Sequence, residues 1–315
     1  MTFSQDVKSE IIKSVRNIKG CCAASFLTAV LKSSGSLALE NKKFSFTVES
    51  ENHEFLALCG SLAERELGVE SKIESYNVNA KGAAVYSCIF DGKVGEKLGL
   101  IMREDGALRF LTDCAPLIPA KSCCRKAFLQ ALFVSCGSVV IPLSETDMGE
   151  NRLRAKYHLE LRFTDSDFAR AVSEAYAEFC FRKTSRKNHT VLYLKDSEKI
   201  ADALSYFNAT KGRLKLENVI IGRSMRNNAN RQSNCISANI EKSVVASEKQ
   251  LAAIARLRST GVFDTLSDQL KDIARIRQEF PEANLDEIAA RLNISKSGAS
   301  HRFAKIIELA NQENK

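Results

Sequence analysis

Two stretches toward the C-terminal end concentrate guanidinium, amide and hydroxyl groups at helical spacing. The first reads RNNANRQSN from Arg226, and polar side chains four residues apart in it would meet on one side of a helix. That face consists of Arg226, Asn227, Asn230, Arg231 and Asn234, with no carboxylate nearby. Guanidinium and amide groups hydrogen-bond to phosphate oxygens and base edges, so the face predicts contact with nucleic acid. The alternative interpretation is a set of buried amides that ties a linker to the preceding domain.

The second stretch is a helix that begins at Ser295 and continues to about Leu309. It is preceded by a short apolar helix over 285–292, which Asn284 caps with a carboxylate three residues on. Two short helices joined by a tight turn at Asn293-Ile294 form the helix-turn-helix pattern. In that motif, the first turns of the second helix enter the major groove of DNA. A generic helical hairpin is the alternative.

The placement of charge agrees with the helix-turn-helix interpretation. Asp286 and Glu287 lie on the first helix, whereas the second helix is basic. We expect its N-terminal turns to approach base edges and the later residues Arg302 and Lys305 to face the DNA backbone. The residues of this helix predicted to contact DNA are Ser295, Lys296, Ser297, Ser300, His301, Arg302 and Lys305.

Basic residues are concentrated in one tract of an otherwise nearly neutral chain. The formal net charge is +8, and residues 182–231 hold twelve Lys and Arg against four acidic residues. One basic tract in a balanced protein predicts a polyanionic partner, here double-stranded DNA. We expect Arg182, Lys183, Arg186 and Lys187 to add contacts to the DNA backbone.

The ten cysteines include two vicinal pairs, Cys21-Cys22 and Cys123-Cys124, and no CxxC motif. Metal sites prefer spaced ligands, so we interpret the cysteines as reduced, buried, small apolar residues in a reducing compartment. His53, His158 and His189 have no ligand partners at metal spacing. The sequence analysis therefore predicts neither a metal site nor a cofactor.

A duplication organises the N-terminal two thirds of the chain. Gly20–Leu37 and Ser122–Val139 share eight of eighteen residues at an offset of 102, including Cys-Cys, Phe-Leu and a closing Gly-Ser. Both copies are helix-length, apolar and rich in small residues, which allow two helix backbones to approach closely. We predict that the two helices pack side by side about a pseudo-twofold axis, giving a monomer with an internal pseudo-dimer.

Each copy is followed by strands interleaved with helices, which predicts an α+β fold and then an all-α C-terminal domain. We place a first half at residues 1–112, a second half at 113–220 and the helix-turn-helix domain at 221–315. Gly92 to about Met102 is predicted as a helix, and a hairpin is predicted around Asn79. No apolar run reaches the roughly 18 residues of a membrane span.

A small-residue helix that ends in Gly, occurs twice and precedes strands resembles the LAGLIDADG homing-endonuclease fold. The chain resembles the bacterial WhiA family more closely. This resemblance rests on the Cys-Cys-led helix at Ser122 and on the runs YLKDSEKIA, RNNANRQSN and SKSG. It implies a degenerate LAGLIDADG domain, whose two sheets form a saddle over DNA, joined to a helix-turn-helix. It also implies a regulator of transcription linked to cell division, chromosome segregation or sporulation.

The resemblance also addresses catalysis. In the endonucleases, an acidic residue before the final Gly binds the divalent ion, and the matching positions here are Ser34 and Cys136. Neither supplies a carboxylate, and Glu40 and Glu145 lie past the helix ends. We predict no catalytic residue and no enzyme activity. The remaining alternatives are an architectural DNA-binding protein with weak sequence preference and a nuclease.

We further expect a cytoplasmic, nucleoid-associated protein without membrane contact. Its candidate protein partners are another transcription regulator and RNA polymerase.

Overall fold

The computed structural model describes residues 2–40, 43–78, 82, 84–104, 107–111, 113–142 and 156–312. Its helices are α1 (Phe3–Ser14), α2 (Gly20–Ser34), α3 (His53–Leu62), α4 (Lys93–Lys97), α5 (Ser122–Cys136), α6 (Ser166–Ala175), α7 (Ser197–Tyr206), α8 (Thr210–Ser259), α9 (Asp268–Glu279), α10 (Leu285–Arg291) and α11 (Lys296–Gln312). Its strands are β1 (Gly35–Glu40), β2 (Lys43–Ser50), β3 (Ser71–Val78), β4 (Ala84–Asp91), β5 (Ile101–Glu104), β6 (Ala107–Phe110), β7 (Gly137–Val140), β8 (His158–Phe163), β9 (Arg182–Arg186) and β10 (His189–Leu194).

Contacts divide the chain into two compact units, Met1–Gly222 and Arg223–Lys315. The division falls inside α8, close to residue 220, where the sequence analysis placed a domain boundary. Within the described part of the chain, every helix is too short or too polar to cross a membrane.

The unit Met1–Gly222 contains two halves with the same topology. The first sheet has the order β1-β2-β4-β3 and the second has the order β7-β8-β10-β9, with antiparallel neighbours throughout. Each half begins with one copy of the duplicated helix, α2 or α5. The predicted α+β fold with two pseudo-symmetric halves is therefore confirmed.

Glycine is required where each duplicated helix passes directly into a strand. Gly35 and Gly137 have extended backbones at the ends of α2 and α5. A β-carbon on Gly35 would lie 2.4 Å from the carbonyl oxygen of Leu31, and one on Gly137 would lie 2.6 Å from that of Phe133. A larger residue would clash with the helix backbone, which explains why both copies of the repeat close on Gly-Ser.

The two duplicated helices pack against each other at the centre of this unit. Ala29 of α2 and Ala131 of α5 have no exposed surface, and both helices bury most of their length in one apolar cluster. Near the C-terminal ends, the hydroxyls of Ser33 and Ser135 lie 2.8 Å apart. These two serines are separated by the 102-residue offset of the repeat, so the hydrogen bond joins equivalent positions of the two halves.

Close packing at Ala131 leads to a first prediction. Replacing Ala131 with leucine adds volume to a site without free space and should destabilise the protein by roughly 1–3 kcal/mol. The measurement is urea unfolding followed by circular dichroism. Ala24→Leu, at a half-buried position of α2, is the control and should cost less. Equal stability of Ala131→Leu and the native protein would contradict a close helix crossing at this residue.

The structure differs from one predicted element and describes another only in part. The helix expected over 92–102 is only the short α4, because Gly99 adopts a left-handed φ of +70° and the chain continues as β5. That prediction was wrong in length. The tip of the hairpin predicted around Asn79 lies partly outside the described residues, and Glu145 lies outside them.

The unit Arg223–Lys315 has an apolar cluster of its own, to which the C-terminal part of α8 and helices α9, α10 and α11 contribute. Its members include Ile254, Ile273, Ile288, Phe303 and Ile306, all nearly free of exposed surface.

A buried arginine lies in the middle of this cluster. Arg277 of α9 is only 2 % exposed, and its guanidinium donates to Gln250 Oε1 at 2.8 Å and to the Ala283 carbonyl at 2.6 Å. It also lies 5.2 Å from the centre of the Phe303 ring. These contacts tie α8, the loop after α9 and α11 to one side chain.

Candidate nucleic-acid interface

Short-range hydrogen bonds cap the start of α10 and the start of α11. The Asn284 side chain accepts from the backbone N–H of Glu287 at 3.0 Å, and Glu287 accepts in return from the backbone N–H of Asn284 at 3.0 Å. After α10, Asn293 adopts a left-handed φ of +53°, a conformation that asparagine tolerates better than most residues. Ser295 then accepts from the backbone N–H of Gly298 at 3.1 Å and starts α11. Two short helices joined in this way form the predicted helix-turn-helix.

Helix α11 separates an apolar face from a polar one. Ala299, Phe303 and Ile306 are buried in the apolar cluster. Ser297, Ser300, His301 and Lys305 are exposed, and Arg302 is half-buried at the edge of the apolar face. Helical spacing of 100° per residue places Arg302 and Lys305 on one flank, away from Ser297 and Ser300. The geometry thus offers hydroxyl groups at the front of the helix and cations beside them.

Several of the predicted contact residues on α11 are already engaged within the unit, including Lys305, whose ammonium lies 3.0 Å from a carboxylate oxygen of Glu308. The Lys296 ammonium lies 2.6 Å from Asp286 of α10, in a pair whose side chains are both more than half exposed. Such a pair is worth little in water, so Lys296 remains able to exchange this partner for a phosphate. Ser295 caps α11 and also lies 3.0 Å from the Ser297 hydroxyl. Its hydroxyl therefore caps the helix, and the sequence pattern alone does not distinguish this structural function from contact with DNA.

The Arg and Asn face is located on α8. Arg226, Asn227, Asn230, Arg231 and Asn234 are all exposed. The alternative of buried amides is therefore wrong for this structure. The same helix also carries exposed apolar side chains, namely Met225, Ile236, Ile240 and Val244.

The second sheet has one face packed on the apolar cluster and one polar face. We define its polar face by His158, Glu160 and Arg162 of β8, Tyr193 of β10, and Arg182, Thr184 and Arg186 of β9, which strand register places together around the buried Val191. The predicted contacts Arg182 and Arg186 belong to this face and are exposed.

Two of the predicted basic contacts do not belong to the polar face. Lys183 pairs with the buried Leu192 and points to the other side, because successive side chains of a strand alternate between faces. Lys187 lies in the turn after β9 with a φ of +53°. The four basic residues predicted to contact the DNA backbone therefore do not share one face of the sheet.

The sequence analysis missed two basic residues of this region. Arg162 lies opposite Val191 on the polar face, and the Lys195 ammonium lies 5.2 Å from the ring centre of Tyr193. Both could have been located from the alternation of side chains along a strand, because Arg162 follows Glu160 by two residues and Lys195 follows Tyr193 by two residues. Residues outside the basic tract were not considered as partners of Arg182 and Arg186.

Glu160 is the acidic residue of the polar face. Burial works against its ionised form, but hydrogen bonds from His158 at 3.0 Å and Arg162 at 3.2 Å outweigh burial and lower the pKa of Glu160. The same oxygen that contacts His158 also lies 3.9 Å from the Arg186 guanidinium. Glu160 therefore remains ionised at neutral pH and partly neutralises two arginines.

This neutralisation can be tested. Glu160→Gln keeps the shape of the side chain but removes its charge, so full-length protein should bind DNA more tightly at low salt, by about 0.5–1 kcal/mol. Fluorescence anisotropy with a labelled duplex measures the change. Glu74→Gln on the first sheet, where Glu74 pairs with Lys72, is the matched control and should leave affinity unchanged. If Glu160→Gln binds DNA no more tightly than Glu74→Gln does, the second sheet is not the surface that contacts DNA.

The first sheet differs from the second in charge. Its corresponding face carries Glu49, Glu74 and Asp91 against Lys43 and Lys72. Among the described residues, basic side chains therefore outnumber acidic ones on this face of the second sheet but not of the first, although the two sheets share one topology.

The two positions that would carry catalytic acids lie at the C-terminal ends of α2 and α5. Ser34 follows the Ser33–Ser135 contact, and the Cys136 thiol donates to the Leu132 carbonyl at 3.2 Å. Burial raises the pKa of Cys136 to about 11, so this thiol is neutral at physiological pH. A hydroxyl and a neutral thiol do not provide the anionic oxygen ligands that magnesium prefers.

The interpretation of the cysteines needs correction. Cys21 and Cys123 are exposed, as are Cys180 and Cys235, so burial does not explain them. The four sulfur atoms of the two vicinal pairs lie within 4.8 Å of one another. Ligand spacing inside each vicinal pair gives no metal-binding pattern, but the packing of α2 against α5 brings the two pairs together.

Comparison with known proteins agrees with this architecture. The family described as the WhiA LAGLIDADG-like domain matches residues 23–86 and 125–226, and the WhiA C-terminal HTH domain matches residues 229–310. A relative from Syntrophomonas wolfei named "Probable cell division protein WhiA" is 32% identical and covers 98% of this chain and 97% of its own. A relative of the same name from Clostridium acetobutylicum is 31% identical over 100% of this chain and 99% of its own. The crystal structure of full-length WhiA from Thermotoga maritima covers 99% of both chains with a TM-score of 0.57 at 18% identity.

The fold and the matched families thus define a protein that joins a LAGLIDADG-like domain to a helix-turn-helix domain. The chain belongs to the WhiA family.

Proposed function

We propose that this protein is a sequence-specific regulator of transcription that has no nuclease activity. The observation that carries the proposal is the polar face of α11, where Ser297, Ser300 and His301 are exposed at the start of a capped second helix. Hydroxyl and imidazole groups in that position can reach base edges in the major groove. The names of its relatives support a link to cell division, to which chromosome segregation or sporulation would be related processes.

The remaining parts of the proposal concern the DNA backbone and the cell. Arg302 and Lys305 on the flank of α11, the Arg and Asn face of α8 and the polar face of the second sheet would hold phosphates. A DNA-bound regulator would be cytoplasmic and associated with the nucleoid. It would act as a monomer with an internal pseudo-dimer, and another regulator or RNA polymerase would be its protein partner.

Two variants of α11 separate base reading from phosphate holding. Arg302→Ala removes one cation, so binding should weaken evenly across sequences and the slope of log affinity against log salt should become shallower by about 1. Ser297→Ala or Ser300→Ala should leave that slope unchanged and alter sequence preference by no more than roughly 1–3 kcal/mol. The readout is anisotropy at several salt concentrations with a duplex selected from a random library and a scrambled duplex. Loss of only the selected duplex in Arg302→Ala would reverse the assignment.

The same titration addresses the alternative of an architectural protein. A sequence-specific regulator binds its site about 10³-fold or more tightly than other DNA, whereas an architectural protein shows a ratio near unity. The nuclease alternative predicts nicking of supercoiled plasmid in magnesium. We expect none, because Ser34 and Cys136 replace the metal-binding acids.

A further inference from the structure

The two vicinal cysteine pairs meet at the N-terminal ends of the duplicated helices. Each of Cys21, Cys22, Cys123 and Cys124 offers one sulfur atom, and these four atoms lie within 4.8 Å of one another. The pairs are equivalent in the repeat, since both stand at the second and third residues of α2 and α5. Two helices that pack about a pseudo-twofold axis therefore bring two ligands from each half to the same point.

We propose that these four thiolates bind a single tetrahedral metal ion of the zinc class. A zinc–sulfur bond is about 2.3 Å long, so the sulfur atoms of a regular tetrahedral site lie about 3.8 Å apart. Cys123 and Cys124 already have this separation, at 3.9 Å between their sulfur atoms. The other separations, none above 4.8 Å, require small side-chain rotations to close on one ion. All four cysteines are free thiols.

The sulfur atoms lie in the first turns of α2 and α5, where backbone N–H groups and the helix dipole stabilise negative charge. At the start of α2, the Glu66 carboxylate accepts from the backbone N–H of Gly20 at 2.8 Å, so one of these N–H groups is already engaged. The residues before the two helices, Lys19 and Lys121, bring positive charge to the same ends.

One side chain beside the site fixes the backbone of a ligand residue: the Ser25 hydroxyl donates to the Cys21 carbonyl at 2.8 Å. Cys21 and Cys123 are exposed, which gives an ion access from solvent, whereas Cys124 is buried and anchors the site.

Four protein ligands would close the coordination sphere, so the ion would be structural and would not bind substrate. It would join the two halves at the N-terminal ends of α2 and α5. The Ser33–Ser135 hydrogen bond joins the same helices at their other ends. The site would thus be separate from the catalytic metal position of the endonuclease fold, which lies at the C-terminal ends of these helices.

The closeness of the four sulfur atoms separates this proposal from two alternatives. A multi-iron cluster places several irons and sulfides between its ligands and needs a wider opening than 4.8 Å. Two disulfides would require an oxidising environment, and each would release two hydrogen atoms to an oxidant. Both alternatives are distinguishable outcomes of the test below.

The test is elemental analysis of the full-length protein, purified in the presence of a reductant. We expect one zinc ion per chain. Replacement of this ion with Co²⁺ should give the intense visible bands of tetrahedral cobalt together with a sulfur-to-cobalt charge-transfer band. The double variant Cys22→Ser/Cys124→Ser should lose both the ion and the spectrum. Cys235→Ser, which removes an exposed cysteine of the other unit, should keep both.

A measurement on the native sequence guards against a variant that fails to fold. Removal of zinc from the native protein with a chelator should lower its melting temperature, and added zinc should restore it. Absence of metal and of a cobalt spectrum in the folded native protein would overturn the proposal. So would a visible iron–sulfur absorption, a mass lower by four hydrogen atoms, or an unchanged melting temperature after the ion has been removed.

Discussion

Replacing Arg277 with alanine should destabilise the unit Arg223–Lys315 more than any other single change considered above. The substitution leaves Gln250 Oε1 and the Ala283 carbonyl without their donor inside the apolar cluster. A buried acceptor without a partner costs about 1–3 kcal/mol, so the two together predict a loss of about 2–6 kcal/mol. Contact with the Phe303 ring is lost as well.

The measurement is denaturant unfolding of the isolated unit, which has its own apolar cluster and avoids the overlapping transition of the other unit. Arg275→Ala provides the matched control, because Arg275 is exposed on the same helix and pairs only loosely with Asp272 at 4.0 Å. Burial lowers the pKa of Arg277, yet an arginine remains charged at neutral pH. If both variants unfold at the same denaturant concentration, the contacts of Arg277 do not hold α8, α9 and α11 together.

The second large effect concerns the division of DNA binding between the two units. The isolated unit Arg223–Lys315 should keep sequence discrimination, since it contains both α11 and the Arg and Asn face of α8. The unit Met1–Gly222 should bind DNA weakly and without sequence preference through the polar face of its second sheet. Specific binding exceeds non-specific binding by a factor of about 10³ or more in most such proteins.

Anisotropy titrations of both units and of the full chain, with the selected and the scrambled duplex, measure this difference. The full chain should bind the selected duplex more tightly than Arg223–Lys315, because backbone contacts add affinity. The control is circular dichroism of each unit, which shows whether it is folded. A folded Arg223–Lys315 that binds no DNA at low salt would instead identify the helix-turn-helix as a module for protein contact.

The cysteine pairs show how far a sequence signal can carry an inference before packing is known. Their position was visible in the repeat, and the repeat also predicted that α2 and α5 pack about an axis. Equivalent residues near such an axis must lie close together, so the meeting of Cys21 and Cys22 with Cys123 and Cys124 could have been inferred. We considered ligand spacing within each pair and therefore missed it.

Features of the fold that depend only on neighbours within a few residues could be predicted from the sequence. The cap at Asn284 with Glu287, the turn at Asn293 and the glycine at each helix end follow from backbone hydrogen bonds and steric limits that act locally. The 102-residue repeat determined the two halves and their α+β fold, because similar sequences adopt similar topologies.

Tertiary structure alone decided the features that depend on distant neighbours. Lys183 and Arg182 were indistinguishable as charges, until the register with Leu192 and Tyr193 placed them on opposite faces of the sheet. In the sequence, nothing distinguishes Arg277 from the exposed Arg275 two residues earlier, whereas packing of α8 and α11 against it makes it a buried donor. Burial and charge pairing are properties of the whole fold, since they depend on which segments meet, and no local pattern of residues contains that information.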